Sequence, residues 1–316
     1  MTKPRNENNL TALAEQSKPK VSVCVITYNH KQYIAQALDS ILAQKTSFYF
    51  EIVIGEDRST DDTLAICKEY QAKYPNIIRV LDTPKNLGVV PNFVRTANAC
   101  KGKYIAVLEG DDYWIDAFKL QKQVDILDQD AERALCFTGR KEYDEATDHY
   151  KIYNESSPDN RFYLTDFAKD TFFHLSTVLF RKPETPQYFN RFLHFNGLYD
   201  RPLYISLLAE SQGYVYKLQD ICSIYRLNST STFVPIGAMK RTIMVADMYA
   251  KIKDMHPELS LYMNYHLNKF DYFIMRDAYR QNNKMEIKRL ANQIRERPTI
   301  SAGWWLKCKT LLHFFF

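Results

Sequence analysis

Short apolar runs alternate with amphipathic ones along the N-terminal third of the chain. Val21 to Thr27 (VSVCVIT) is nearly all apolar and rich in β-branched residues, as a strand buried on both faces reads. Gln32 to Gln44 then places Ile34, Ala37, Leu38, Ile41 and Leu42 at helical spacing. The unit recurs, with strands over Glu51 to Ile54, Ile77 to Leu81 and Lys103 to Leu108. Between them the spacing predicts helices over Asp61 to Lys73, with Asp61 as a cap, and over Val90 to Cys100. Strand and helix in strict alternation predict an α/β fold, a Rossmann-like and mostly parallel sheet flanked by helices on both faces.

Beyond Asp112 the order is less regular. Phe118 to Asp128 and Leu198 to Ala209 read as helices, and Ala134 to Tyr143 and Thr177 to Arg181 as strands. Tyr214 to Arg226 reads as one or two strands, and nearly everything from Ile236 onward as helix. The expected organisation is a flexible lead over 1–20, a catalytic domain over 21–235 and a helical C-terminal region over 236–316. A chain of 316 residues is long enough for this.

Charge changes the picture at one end. The net charge is only +5, too little to point to nucleic acid. From Lys240 to Phe316, however, fourteen lysines and arginines face seven acids, while the remainder is close to neutral. The last residues add Trp304, Trp305 and Phe314 to Phe316, which predicts contact with an anionic membrane surface. The six cysteines form no C-x-x-C pair, and several sit in apolar runs, so they read as small hydrophobes. With no apolar leader and no run of transmembrane length, the expectation is a cytoplasmic protein, peripheral on the cytoplasmic face of the membrane.

The candidate chemistry collects at strand ends. Ligands of open α/β sheets bind beyond the carboxyl ends of the strands. Here those ends carry Thr27-Tyr28-Asn29-His30, Glu56-Asp57-Arg58-Ser59 and Glu109-Gly110-Asp111-Asp112. Neither G-x-G-x-x-G nor G-x-x-x-x-G-K-[ST] follows the first strand, so bare backbone does not cradle a diphosphate. Adjacent carboxylates suit a hard divalent cation, Mn2+ or Mg2+, which would remove their mutual repulsion and neutralise phosphate.

The runs VSVCVITYNHKQYIAQALDSILAQ, EIVIGEDRSTDDT and GKYIAVLEGDDYW, in that order, resemble the nucleotide-binding half of family 2 glycosyltransferases of the GT-A fold. The resemblance is strong from Lys20 to Ala117 and weaker to about Ser231. It implies a nucleotide-binding half over 21–117 and an acceptor half over 118–235. It implies an inverting, metal-assisted transfer of sugar from a nucleoside-diphosphate donor, a UDP-sugar being expected, to a glycan or lipid-linked acceptor. By matching position, Thr27, Tyr28, Asn29, Glu56, Asp57, Asn92 and Asp111 would bind nucleotide, and Asp112 with Asp111 would hold the metal. Asp200, beside an early-helix proline, would be the general base, with His174 and His194 as rivals. Trp114, His174, Ser176, Thr177 and Arg226 would line the acceptor or diphosphate side. Two departures stand out: Glu109 replaces the first acid of a D-x-D pattern, and Glu56-Asp57-Arg58 replaces two aspartates and a small residue. The rival readings are a nucleotidyltransferase, against which the missing glycine- and lysine-rich loop argues, and a non-catalytic glycan-binding protein, against which the intact acid set argues.

Overall fold

The computed structural model describes residues 18–154, 160–169, 173–228, 237–301, 303–304 and 307–309. The chain divides into two compact units, one of residues 1–167 with 171–230 and one of 168–170 with 231–316.

The first unit is built on a ten-stranded sheet. It opens with β1 (Val21–Thr27), α1 (Ile34–Leu42), β2 (Phe50–Glu56), α2 (Thr63–Lys73), β3 (Ile78–Leu81), α3 (Val89–Ala99) and β4 (Tyr104–Glu109). These four strands are parallel in the spatial order β3-β2-β1-β4. Every residue of β1 and β2 is buried, which is why apolar residues fill Val23 to Ile26 and Ile52 to Ile54 without alternation, while Glu51 and Glu56 of β2 are buried acids. α1 buries Ile34, Ala37, Leu38 and Ile41, the stripe its spacing predicts. α3 packs close to β2 at Gly55, where a Cβ would collide with Thr96.

The second half of this unit departs from the regular alternation. After β5 (Tyr113–Trp114) come α4 (Lys119–Gln129), β6 (Arg133–Asp144), β7 (His149–Tyr153), β8 (Arg161–Phe162) and α5 (Leu164–Lys169). β9 (Leu179–Arg181), α6 (Asp200–Ser211) and β10 (Tyr214–Leu227) follow. The sheet continues past β4 in the order β9-β6-β10-β5, with β7 on β6 and β8 on β10. β10 runs parallel to β6, whereas β9, β7, β8 and β5 pair antiparallel. The strand expected over Thr177 to Arg181 is shorter than expected: Leu175–Thr177 forms a 3-10 turn, and the strand starts only at Leu179. His174 explains the turn, since it caps the turn through its ring nitrogen and accepts from the Thr177 backbone amide. Asp61, expected as a cap, does accept from the Thr63 amide at 3.0 Å, although Asp62 is the residue at the helix boundary.

The second unit contains α7 (Ala238–Met255), α8 (Ser260–Arg280) and α9 (Lys284–Glu296). Its core joins Met275 and Ala278 to Ile287, Leu290, Ala291 and Ile294, with Trp304 and Cys308 packed among them. Trp304 of the aromatic tail therefore faces protein. Phe314 to Phe316 lie outside the described residues. Arg297 pairs with Asp271 at 2.8 Å inside this unit. No helix among the described residues is long and apolar enough to cross a membrane. All six cysteines are free and buried.

Candidate active site

The carboxyl ends of β1, β2 and β4 place the predicted polar residues along one rim. Thr27 is buried at the end of β1, and its hydroxyl lies 3.3 Å from His30 Nδ1. Tyr28 is exposed. Asn29 has a left-handed backbone and closes the turn against the next strand, accepting from the Thr60 amide at 2.8 Å while donating its own amide to Ser59.

Glu56 and Asp57 divide their labour clearly. Glu56 is fully buried and accepts the backbone amides of Arg58 and Ser59 at 3.1 and 2.8 Å, so it shapes its own turn. Asp57 reaches across to the start of α3, accepting from Leu87 and Gly88 at 2.8 and 2.9 Å. Burial holds the Asp57 carboxyl above its usual range despite those donors. Asn92 is also buried, donating to Gly55 O at 2.7 Å and accepting from Arg95. Arg95 donates to the Glu56 carbonyl at 2.6 Å.

The acidic turn is held from several sides. The Gly110 amide donates to Ile26 O at 2.9 Å, and a Cβ there would stand 2.6 Å from Thr27 Oγ1. The Asp111 carboxylate accepts from Asn228 at 3.0 Å and lies 3.8 Å from His30 Nε2. Asp112 is buried, and its Oδ1 accepts the Arg226 backbone amide at 3.0 Å. Its Oδ2 is buried without a hydrogen-bond partner among the described residues. His174 Nδ1 stands 3.5 Å from that oxygen, and His174 Nε2 stands 3.5 Å from Glu109 Oε2. Glu109, Asp112 and His174 each offer one ligand atom, and those atoms lie within 4.8 Å of one another. Asp111 is not part of this group. Sequence reasoning left Glu109 without a role and placed His174 on the acceptor side; their meeting depends on strand pairing over more than sixty residues, which no local signal reports.

The electrostatics are those of a crowded acid site. Burial, then the Asp111 charge and then Asp200 push Glu109 up to about 8. Burial and its acidic neighbours push Asp112 well above its usual range. Burial also takes the His174 imidazole down to about 3, leaving it neutral with a lone pair to offer. The orphaned Asp112 Oδ2, a Glu109 oxygen and a neutral His174 nitrogen together form a donor set that fits a divalent cation.

Around this core the other candidates take up distinct places. Asp200 begins α6, and burial holds its carboxyl up. Ser176 and Thr177 are buried within the His174 turn, where Thr177 Oγ1 donates to His174 O at 2.6 Å. Trp114 is buried, its indole N–H donating to Ser176 O at 2.8 Å and its ring lying beneath the Lys119 ammonium. Arg226 is almost wholly used within the fold. Its Nε donates to Asp111 O at 2.9 Å, and its two amino groups donate to Glu145 at 2.9 Å and Gln36 at 2.7 Å. The rings of Tyr33 and Tyr113 lie 4.8 and 5.2 Å from its guanidinium carbon.

The strand order, the acid turn beyond β4 and the cluster around Asp112 define an α/β domain of the GT-A type. Solved structures of S. aureus TarS share this fold. The structure with UDP-GlcNAc has a TM-score of 0.58 at 17% identity, covering 88% of this chain and 82% of that one. The structure with UDP has a TM-score of 0.56 at 15% identity, covering 92% and 80%. The sequence profile of Glycosyl transferase family 2 matches residues 22–187, and the chain belongs to that family.

Among its relatives, the Bacillus subtilis putative teichuronic acid biosynthesis glycosyltransferase TuaG is 28% identical over 248 residues, 76% of this chain and 90% of that protein. An uncharacterised protein of Mycobacterium tuberculosis is 45% identical over 117 residues, 37% of this chain. The matched part spans about a third of the length of such mycobacterial relatives.

Proposed function

We propose that the protein transfers a sugar from a nucleoside-diphosphate donor, a UDP-sugar, to a glycan or lipid-linked acceptor in surface polysaccharide synthesis, inverting the anomeric centre. The observation that carries this reading is the orphaned Asp112 Oδ2, ringed by Glu109 and His174 at the end of β4. TarS, which shares the fold, has been solved with UDP and UDP-GlcNAc, which supports a UDP-sugar, and TuaG is named for teichuronic acid biosynthesis, which supports a role in polysaccharide synthesis.

Asp112, Glu109 and His174 would hold a divalent cation, and the imidazole favours manganese over magnesium, which takes oxygen ligands. A bound cation supplies charge neutralisation to the departing nucleoside diphosphate. The chain's own residues do the rest. Tyr28, Asn29, Asp57 and Asp111 would border the nucleotide, with Thr27 and Glu56 buried beneath and shaping the strand ends. Asp200, whose carboxyl is raised by burial and so made a stronger proton acceptor, would take the acceptor hydroxyl proton.

A thermal-shift panel of nucleoside diphosphates and nucleotide sugars, with and without manganese, tests this. A ligand that binds only the folded state raises the midpoint by mass action. UDP or a UDP-sugar should do so only with manganese. Asp112→Asn should abolish that shift and lower transfer roughly 100-fold or more. If the variant retained both, the metal role of Asp112 would be wrong, and a product of retained configuration would overturn inversion.

A further inference from the structure

The β6–β7 hairpin presents a cation to the His174 side of the site that the transfer reading leaves unused. In the pairing of β10 with β6, Ser223 lies opposite Arg140 and Tyr225 opposite Glu142. In the pairing of β6 with β7, Arg140 lies opposite Tyr153 and Glu142 opposite Lys151. Directly paired residues share a face of the sheet, so Arg140, Glu142, Lys151, Tyr153, Ser223 and Tyr225 stand together, with the Glu142 acid beside the two cations. That face also carries the His174 turn. Ser223 Oγ donates to Ser176 O at 2.9 Å, and the Tyr225 ring lies 4.1 Å from the His174 ring.

Arg140 itself is incompletely satisfied. Its Nε is buried with no hydrogen-bond partner among the described residues. Its guanidinium carbon lies 4.4 Å from the centre of the Tyr153 ring, and Lys151 Nζ lies 4.6 Å from the same ring. Two cations thus lie against the Tyr153 ring. A buried donor left unmade costs stability, and a guanidinium matches the paired oxygens of a phosphate or carboxylate. Among the described strands β7 pairs with β6, and His149 to Ile152 are exposed. The hairpin therefore leads from His174 out into solvent, which suits a polymeric acceptor better than a compact donor.

We infer that Arg140, with Tyr153 and Lys151, forms an acceptor subsite for an anionic group, a phosphate or a carboxylate, carried on the acceptor glycan. This rests on the transferase reading above and names the acceptor's chemistry. The test uses the full chain with methyl glucoside, methyl glucoside 6-phosphate, methyl glucuronide and inorganic phosphate, with binding followed by ligand-observed NMR in the presence of UDP and manganese. The phosphorylated or carboxylated glycoside should bind about tenfold or more tightly than the neutral one. Arg140→Gln should erase that preference, Arg140→Lys should restore part of it, and the UDP–manganese thermal shift should stay unchanged in both. Equal binding of charged and neutral glycosides overturns the subsite, as does an undiminished preference in Arg140→Gln. Loss of the UDP–manganese shift in Arg140→Gln assigns Arg140 to the donor and also overturns it. Tight binding of inorganic phosphate alone, with no gain from the sugar, reduces the site to an anion site and removes the acceptor claim. A wild type that shows no UDP–manganese shift at all speaks instead against the transferase reading, so the two failures are separable.

Discussion

A Cβ on residue 110 would meet Thr27 Oγ1 at 2.6 Å and His30 Nδ1 at 2.8 Å. That close approach lets the acidic turn lie against the end of β1, so that Asp111 reaches His30 and Asp112 turns inward. Gly110→Ala must therefore move one side of the contact. Displacement of a reacting group by about an ångström can cost on the order of 100-fold in rate. We expect Gly110→Ala to lose about that much transfer activity while keeping a cooperative thermal transition, read by steady-state kinetics beside calorimetry. Wild-type kinetics in that variant would show that the turn has slack at this point. Asp57 argues in the same way about position. Its two oxygens are committed to the amides of Leu87 and Gly88, so its nearest effect is on where α3 begins.

At the scale of elements, Arg226 ties four pieces of chain together: β10, the acidic turn, α1 through Gln36, and the β6–β7 turn through Glu145. Glu145 also accepts from Tyr33 at 2.9 Å. A part-buried, hydrogen-bonded charge pair of this kind should show coupling. A double-mutant cycle of Arg226→Lys and Glu145→Gln should give an interaction of roughly 1 kcal/mol or more in urea unfolding. Additive effects would mean that the pair is incidental. α4 carries a different charge problem. Lys119 is fully buried, hydrogen-bonded to Gln123 at 2.8 Å and stacked on Trp114, and burial lowers it to about 8. Between that value and its ordinary 10.5 the unfolded chain binds the proton more readily than the folded one. Folding is therefore favoured as pH rises through this window. The stability of the wild type relative to Lys119→Met should accordingly climb from pH 8 to 10, measured by urea midpoints, and a flat difference would refute the shift.

The same elements show what the sequence discloses. β1, β2 and α1 were readable because burial on both faces, or on one helical stripe, imposes an apolar pattern. β7 was not, because four of its five residues are exposed and neither face demands hydrophobic side chains. The acid turn announced itself by composition. Its partnership with His174 did not, since that contact is made by sheet order and not by spacing.

At the scale of the whole molecule, each compact unit has its own buried charge to manage. In the C-terminal unit Asp271 is held up by burial and answered by Arg297 at 2.8 Å, while Arg297 also donates to Asn268. Removing one partner of a buried pair strands the other, at about 3–5 kcal/mol. Arg297→Met should therefore lower amide-exchange protection in Ser260–Arg280 and Lys284–Glu296. Unchanged exchange there would show that Asp271 finds relief elsewhere. The fourteen cationic residues from Lys240 onward are distributed over this unit and its tail, with Trp304 already committed to its core. Any surface attraction at this end rests on charge and on residues other than that ring.

The buried cysteines give the molecule a built-in clock. Five of them, Cys24, Cys67, Cys100, Cys136 and Cys222, belong to the sheet unit, and Cys308 alone belongs to the helical one. Burial raises Cys67, Cys136, Cys222 and Cys308 to about 12, so they are slow to react while the fold stays closed, and opening to solvent restores ordinary thiol reactivity. A maleimide offered to the folded chain therefore counts openings. The order in which tryptic peptides acquire the label, with Cys308 on a separate peptide from the rest, reports which unit breathes first without any residue having to be changed.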